Sequence, residues 1–184
     1  MRRFFGALLA AGLALLPQAG LTQTGQTQTE FGSLSLSNDE PIQIESDRFE
    51  VDEKQSLGTF TGNVTVVQGP TTMKASRMKV YYRNDGGSAA TGSAQIERIE
   101  ADGGVYVKSE TQVATGDSGT FDMGTEVLVL SGKEVVLTEG ENVIVGCTLT
   151  VQMKTGQATL ESCREGGANG RVRMLLTPDS QNRQ

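Results

Sequence analysis

Val64-Thr-Val-Val-Gln-Gly-Pro-Thr-Thr-Met-Lys-Ala-Ser-Arg-Met-Lys-Val80 holds the pattern on which the whole chain is built. Two valines one position apart, Val64 and Val66, lead into a Gly-Pro turn. Eleven residues after Val64 comes a small residue, Ala75, followed by a second alternating pair at Met78 and Val80. This second half recurs as Ser46–Phe49–Val51, Gly116–Gly119–Phe121 and Gly146–Leu149–Val151, with Gly119 its weakest position. The first half recurs as Val105–Val107 and Val135–Leu137, again 11 residues before Gly116 and Gly146. Period-two alternation is the mark of a strand with one face turned from water. A beat of roughly 30 residues marks strand pairs that bury that face only by stacking on their neighbours. From Ala75 to Gly116 the spacing stretches to 41, and the excess coincides with Asn84-Asp-Gly-Gly-Ser-Ala-Ala-Thr-Gly-Ser93, which reads as an inserted loop.

The same alternation appears at Ile99–Ala101 and at Val172–Met174–Leu176, and no segment sustains a helical period. Val127 to Leu130 is apolar at every position and predicts a more enclosed strand. Turn signals stand between the runs: Asp52-Glu-Lys-Gln55, Gln68-Gly-Pro70, Asp102-Gly-Gly104, Met123-Gly-Thr125, Glu139-Gly-Glu141 and Thr155-Gly-Gln157. Strands joined by such short turns run antiparallel, because a parallel partner needs a long crossover. The expected class is all-β, with consecutive antiparallel strands in two facing sheets or one rolled, partly open sheet.

The 184 residues hold one domain. Arg2 and Arg3 precede an apolar run, Phe4 to Leu16, too short to span a bilayer, so residues 1–20 read as a signal peptide and the protein as exported. No cysteine near the cut offers an acylation site. Residues 21–40, rich in Thr, Gln, Gly and Ser, read as a flexible arm, 41–177 as the domain and 178–184 as a disordered tail. The formal charge is −6, or −8 once Arg2 and Arg3 are removed, and no basic run speaks for nucleic acid. Trp is absent, so stacking platforms for bases or sugars are poorly supplied. The two cysteines, Cys147 and Cys163, lie nearly opposite one another if the chain reverses at Lys154-Thr-Gly-Gln157, with a bulge of one residue. In an exported protein that spacing predicts a disulfide.

Catalytic chemistry is poorly provided. The chain has no His, the commonest general base and metal ligand. No serine sits in a nucleophile-elbow pattern. Asp85-Gly-Gly87, Asp102-Gly-Gly104 and Asp117-Ser-Gly119 lack the acidic spacing of a calcium loop and read as hairpin turns. The carboxylate pairs Glu97/Glu100 and Asp117/Asp122 fall on the polar alternation or in turns and read as solvated charges. Asn63-Val-Thr65 matches a glycosylation acceptor, but Asn63 after Gly62 reads as a turn residue. No enzyme activity, metal or cofactor is expected.

Several segments taken together carry a resemblance: Pro41-Ile-Gln-Ile-Glu-Ser-Asp47, Phe60-Thr-Gly-Asn-Val-Thr-Val-Val-Gln-Gly69, Ala75-Ser-Arg-Met-Lys-Val-Tyr81 and Ile96-Glu-Arg-Ile-Glu-Ala-Asp-Gly-Gly-Val105. With Val129-Leu-Ser-Gly132 and the closing Arg171 to Pro178, they resemble the OstA-like (LptA) family of periplasmic lipopolysaccharide transport proteins. The likeness departs at the Gly/Ser/Ala loop, the cysteine pair and the acidic balance, and the last speaks against contacts to lipid phosphates. It implies a V-shaped, partly open β-jelly roll in the periplasm that binds lipopolysaccharide acyl chains in an apolar groove. It also implies transfer of that lipid from the inner to the outer membrane for outer-membrane assembly. The implied partners are lipopolysaccharide, an LptC-like component of the inner-membrane export complex, an LptD-like component of the outer-membrane translocon, and further copies stacked end to end.

In that family the first strand and the strand after the central loop contact acyl chains, which places Ile42, Ile44 and Ile96 in the groove. The alternating residues supply the other candidates: Phe49, Val51, Phe60, Val64 and Val66, then Met78, Val80, Ile99, Val105 and Val107, then Phe121, Val135, Leu137, Leu149 and Val151. Each of these also reads as ordinary core. Three other readings remain open. A membrane-tethered LptC-like relative would need a true span at Phe4 to Leu16. A carbohydrate-active β-helix enzyme would need a parallel ladder with clustered carboxylates, and an adhesin module a polar groove. The sheet edges are expected at Ile42–Asp47 and Arg171–Leu176.

Overall fold

The computed structural model describes residues 36, 40–83, 87, 94–163 and 170–177. The expected signal peptide and tail lie outside these residues, as do most of the arm and most of the inserted loop. The described residues form ten strands: β1 (Gln43–Glu45), β2 (Arg48–Asp52), β3 (Leu57–Gln68), β4 (Thr71–Tyr82), β5 (Ile96–Ser109), β6 (Gln112–Asp122), β7 (Val127–Glu139), β8 (Asn142–Gln152), β9 (Gln157–Glu161) and β10 (Arg173–Leu175). All belong to one antiparallel sheet in which the long strands β3 to β8 lie side by side in sequence order. β1 and β2 are two pieces of one broken strand on β3, and β9 and β10 likewise lie end to end along β8. Of the two sheet arrangements left open by the alternation, the chain adopts the single rolled sheet.

Each long strand crosses a crease at its middle. There the register slips between Thr61 and Val64 on β3, between Asp102 and Val105 on β5, and between Ser131 and Val135 on β7. The extra residues fall on alternate strands, and an extra residue bends and twists the strand that carries it. On β3 and β5 the bulges are made with Gly62, Asn63, Gly103 and Gly104 at positive φ, a conformation that glycine adopts at least cost. This corrects three expectations. Asp102-Gly-Gly104 and Gly62-Asn63 are bulges inside β5 and β3, not reversals, and Asp117-Ser-Gly119 lies within β6. A Gly at positive φ serves a bulge as well as a turn, so the local signal is the same.

The crease divides the sheet into two arms. In arm B, with the second half of β3, the first of β4 and their counterparts, two-residue turns reverse the chain at Gly69-Pro70, Glu110-Thr111 and Gly140-Glu141. In arm A, four-residue turns follow Asp52, Asp122 and Gln152, each ending in a residue at positive φ: Ser56, Glu126 and Gly156. Asp122 Oδ1 accepts from the backbone N–H of Thr125 (2.7 Å) and from its hydroxyl (2.8 Å), and these bonds hold its carboxyl below the usual carboxylate range.

The inner faces of the two arms pack on each other. Met73 and Val107 of arm B share a narrow cleft with Ile99, Phe121 and Leu128 of arm A. One face of a single sheet is dry only if something covers it, and each arm is the cover for the other. Val64, Val66, Val80, Ile99, Leu130, Leu149 and Val151 are all at most 1% exposed. Leu36 is also buried in this core, and Gln68 Nε2 donates to the carbonyl of Glu40. The stretch expected as a free arm is therefore tied to the domain at these two residues.

Candidate functional site

The inner surface is ordered in rungs that cross all the strands. The register gives one in arm B as Ile44, Val66, Met73, Val107, Ala114, Leu137, Ile144 and Met174. Its counterpart in arm A runs Phe49, Phe60, Met78, Ala101, Gly119, Leu130, Leu149 and Leu160. The weak position in the repeat, Gly119, is explained here. A Cβ on it would lie 2.8 Å from Cδ2 of Leu130, whose side chain fills the gap.

Thirteen expected lining residues lie on this inner face and are buried: Phe60, Val64, Val66, Met78, Val80, Ile99, Val105, Val107, Phe121, Val135, Leu137, Leu149 and Val151. Ile42, Ile44, Val51 and Ile96 are partly buried against it. Phe49 stacks on Phe60 with ring centroids 4.4 Å apart, yet is 44% exposed because its strand is the sheet edge. The same face includes Met73, Ala114, Ile144 and Leu160, which the alternation had not singled out, and Leu128 and Leu130 of the run expected as an enclosed strand. Mirroring each named position across its turn finds all six, as Val66 gives Met73 and Phe121 gives Leu128. Leu36 belongs to the short alternation Ser33-Leu-Ser-Leu-Ser37, which lay inside the stretch expected as a flexible arm.

The apolar face runs out to both edges. At the far edge Met174 stands opposite Ile144 and is 57% exposed, and Leu176 beyond it is 58% exposed. Among the described residues, β1 and β2 have a strand neighbour on one side only, as do β9 and β10. Each edge is thus longer than expected, since β2 extends the first and β9 the last. Of the charges on these edges, Arg173 pairs with Glu134 (3.5 Å) and Asp47 Oδ2 accepts from Asn63 Nδ2 (2.9 Å).

The carboxylates are occupied structurally. Glu100 accepts from the Tyr81 hydroxyl (3.0 Å) and pairs with Arg98 (3.2 Å), and Asp117 Oδ2 accepts from the Lys133 N–H (2.8 Å). Among the described residues no group of three or more His, Cys, Asp or Glu side chains is placed to hold a metal, and no helix is long and apolar enough to cross a membrane. Cys147 and Cys163 are joined as a disulfide, with Cα atoms 5.0 Å apart. Thr148 pairs with Glu161, so the two cysteines sit one position out of register, just where β9 breaks off.

The arrangement is an apolar trough between the two arms of one creased sheet, filled by their own side chains, with its rungs running out to exposed residues at both edge strands. Comparison with known proteins places that class. The family model for the LptA/(LptD N-terminal domain) LPS transport protein matches residues 43–157, and the chain belongs to this family of lipopolysaccharide transport proteins, which are not enzymes. It is 48% identical over 97% of its length to an uncharacterised protein of Rhizobium meliloti strain 1021, covering 93% of that protein. It is 28% identical to the lipopolysaccharide export system protein LptA of Haemophilus influenzae, over 76% of this chain and 78% of the relative. The crystal structure of LptH, the LptA-homologous periplasmic component of the lipopolysaccharide transport device of Pseudomonas aeruginosa, superposes with a TM-score of 0.64. It is 16% identical, and the match covers 77% of this chain and 99% of that one.

Proposed function

We propose that the trough holds the acyl chains of lipopolysaccharide and that the protein passes this lipid through the periplasm from the inner to the outer membrane. The observation that carries the reading is the continuity of the apolar rungs from edge to edge, with Phe49 exposed at one end and Met174 and Leu176 at the other. A closed core stops at its last strand. This one continues to where another sheet would begin. Burying an acyl chain gains about 0.8 kcal/mol per methylene, so a lipid with several chains does not leave a membrane for water unaided. A trough that continues into the next protein spares it that step.

The two unpaired edges are the partner sites. Addition of a strand from a second copy, from an LptC-like component at one end or from an LptD-like component at the other would extend the sheet. The edges differ in sequence, so such contacts are heterologous and build an open row of molecules. The closed trough is packed, so chains enter only when the arms part at the crease. The deciding experiment is extraction of the protein from the periplasm and mass spectrometry of the lipid that travels with it. Multiply acylated lipopolysaccharide species are expected; a protein pure of lipid and unable to take up lipopolysaccharide would end the proposal.

A further inference from the structure

The outermost inner rung of arm B is not apolar. The register aligns Gln68, Thr71, Ser109, Gln112, Glu139 and Asn142 in one continuous row, just inside the two-residue turns. Four of the six are buried, from Ser109 at 0% to Gln68 at 4% exposed. They bond within the row and to the chain that flanks it. The Thr71 hydroxyl donates to Ser109 Oγ (3.2 Å), Gln112 Nε2 to Glu139 Oε1 (3.5 Å), and the N–H of Thr177 to Asn142 Oδ1 (3.1 Å). A position near the mouth of the trough does not demand polarity. At the corresponding end of arm A the side chains of Tyr82, Ile96, Met123 and Met153 are the ones packed in or against the core, and burial there pushes the Tyr82 hydroxyl pKa up.

We infer that this row is a binding site for the uncharged polar groups that adjoin acyl chains: amide N–H, ester carbonyl and sugar hydroxyl. The inference rests on the acyl-chain reading above and adds the polar half of the ligand. An amphiphile whose tails lie between the arms must bring the junction of head and tails past the two lips. Arm A meets that junction with thioethers and a ring, arm B with a line of hydroxyl and amide groups. The row holds no cation, and its one ionisable member is Glu139, so neutral donors and acceptors suit it and phosphate does not. In the closed protein these groups satisfy one another and the flanking chain, and none of the buried side-chain atoms lacks a partner. When the arms part, hydrogen bonds along the row are exchanged for bonds to the ligand, which costs little because each group keeps a partner.

The test compares two amphiphiles with the same twelve-carbon tail (on the order of one acyl chain). One carries a maltose head, the other a trimethylammonium head that neither donates nor accepts hydrogen bonds. Their affinities for the full exported chain are measured by calorimetry below their micelle concentrations. The double variant Thr71→Val/Ser109→Ala removes both hydroxyls of a bonded pair, so neither is left facing a lost partner. Gln112→Met is a second variant of similar size. Each is expected to weaken the maltoside roughly tenfold and to leave the ammonium within about twofold. Equal losses for both heads, or no loss for either, in protein with unchanged circular dichroism would overturn the assignment while leaving the acyl trough standing. If neither amphiphile binds the unaltered protein, the trough reading fails and this inference falls with it.

Discussion

At the crease, Asp117 of β6 reaches over to β7 and accepts the backbone N–H of Lys133 at its Oδ2, 2.8 Å away. The same stitch recurs at each repeat, always from the residue after the small one. Asp47, after Ser46, accepts from Asn63 Nδ2, and Ser76, after Ala75, donates to the Gly103 carbonyl at 2.6 Å. Cys147, after Gly146, holds the corresponding place on β8. There the disulfide to Cys163 replaces the side-chain hydrogen bond, at the position where the edge strand is broken between β9 and β10. The crease is thus a row of bulges, each held by a short polar or sulfur side chain from the neighbouring strand.

Gly62 is a bulge position that resists a side chain. Its φ is +81°, and a Cβ there would collide with the Asp47 carboxylate that bonds Asn63. Gly62→Ala is expected to cost about 1–3 kcal/mol, from positive φ together with the displaced stitch. Urea unfolding measures it; a midpoint unchanged from the parent would mean that the crease yields freely.

The disulfide joins cysteines 16 positions apart and should contribute about 3 kcal/mol in the chain-entropy model, less where the β8–β9 hairpin already restrains the unfolded chain. Thiol labelling of the exported, denatured, non-reduced protein should find no free thiol. Cys147→Ser/Cys163→Ser should lower the urea midpoint while lipid capture persists.

An ionised side chain inside the trough opposes both packing and acyl chains. Ile44→Asp and Ile96→Asp, at partly buried sites where the fold survives most readily, should remove lipid capture, at a cost of several kcal/mol to any chain held against them. Lys79→Glu, on the outer face, should leave capture intact. Capture that survives both Asp variants in folded protein would place the ligand elsewhere.

Ending the chain before Gly170 removes β10, which is joined to β8 through only three residue pairs. The remainder keeps β1 to β9 and should stay folded and bind lipid as a monomer, while losing end-to-end association. Sedimentation that still shows concentration-dependent oligomers would show that the β10 edge is not the contact.

Asp122 carries a small acid dependence. Its carboxyl pKa is lowered in the folded protein, so its contribution is present above the unfolded carboxylate pKa and is lost as pH falls through the folded value. Asp122→Ala should melt below the parent at neutral pH, and the two curves should converge as the pH is lowered through that range. A gap independent of pH would mean that the turn is held by something other than this charge.

Much of this architecture is determined by the sequence alone. The interval of 11 residues puts Val64 opposite Ala75, Val105 opposite Gly116 and Val135 opposite Gly146, and the structure pairs all three. That follows from arithmetic. With a two-residue turn in the middle, equal steps along two antiparallel strands bring the partners face to face, and the period of two settles which side they share. The all-β class, the antiparallel order and the apolar composition of the inner face follow from the same counting. What tertiary structure alone decided is where a glycine bends a strand and where it reverses the chain. Asp102-Gly-Gly104 and Glu139-Gly-Glu141 look alike locally, yet β5 continues through the first and the chain turns back at the second. The difference lies in whether the neighbouring strand is present on the far side to take the next hydrogen bond, and that depends on residues distant in sequence. The same holds for the facing of the two arms, for Leu36 in the core and for the buried polar row, since burial belongs to a pair of surfaces and not to either segment by itself.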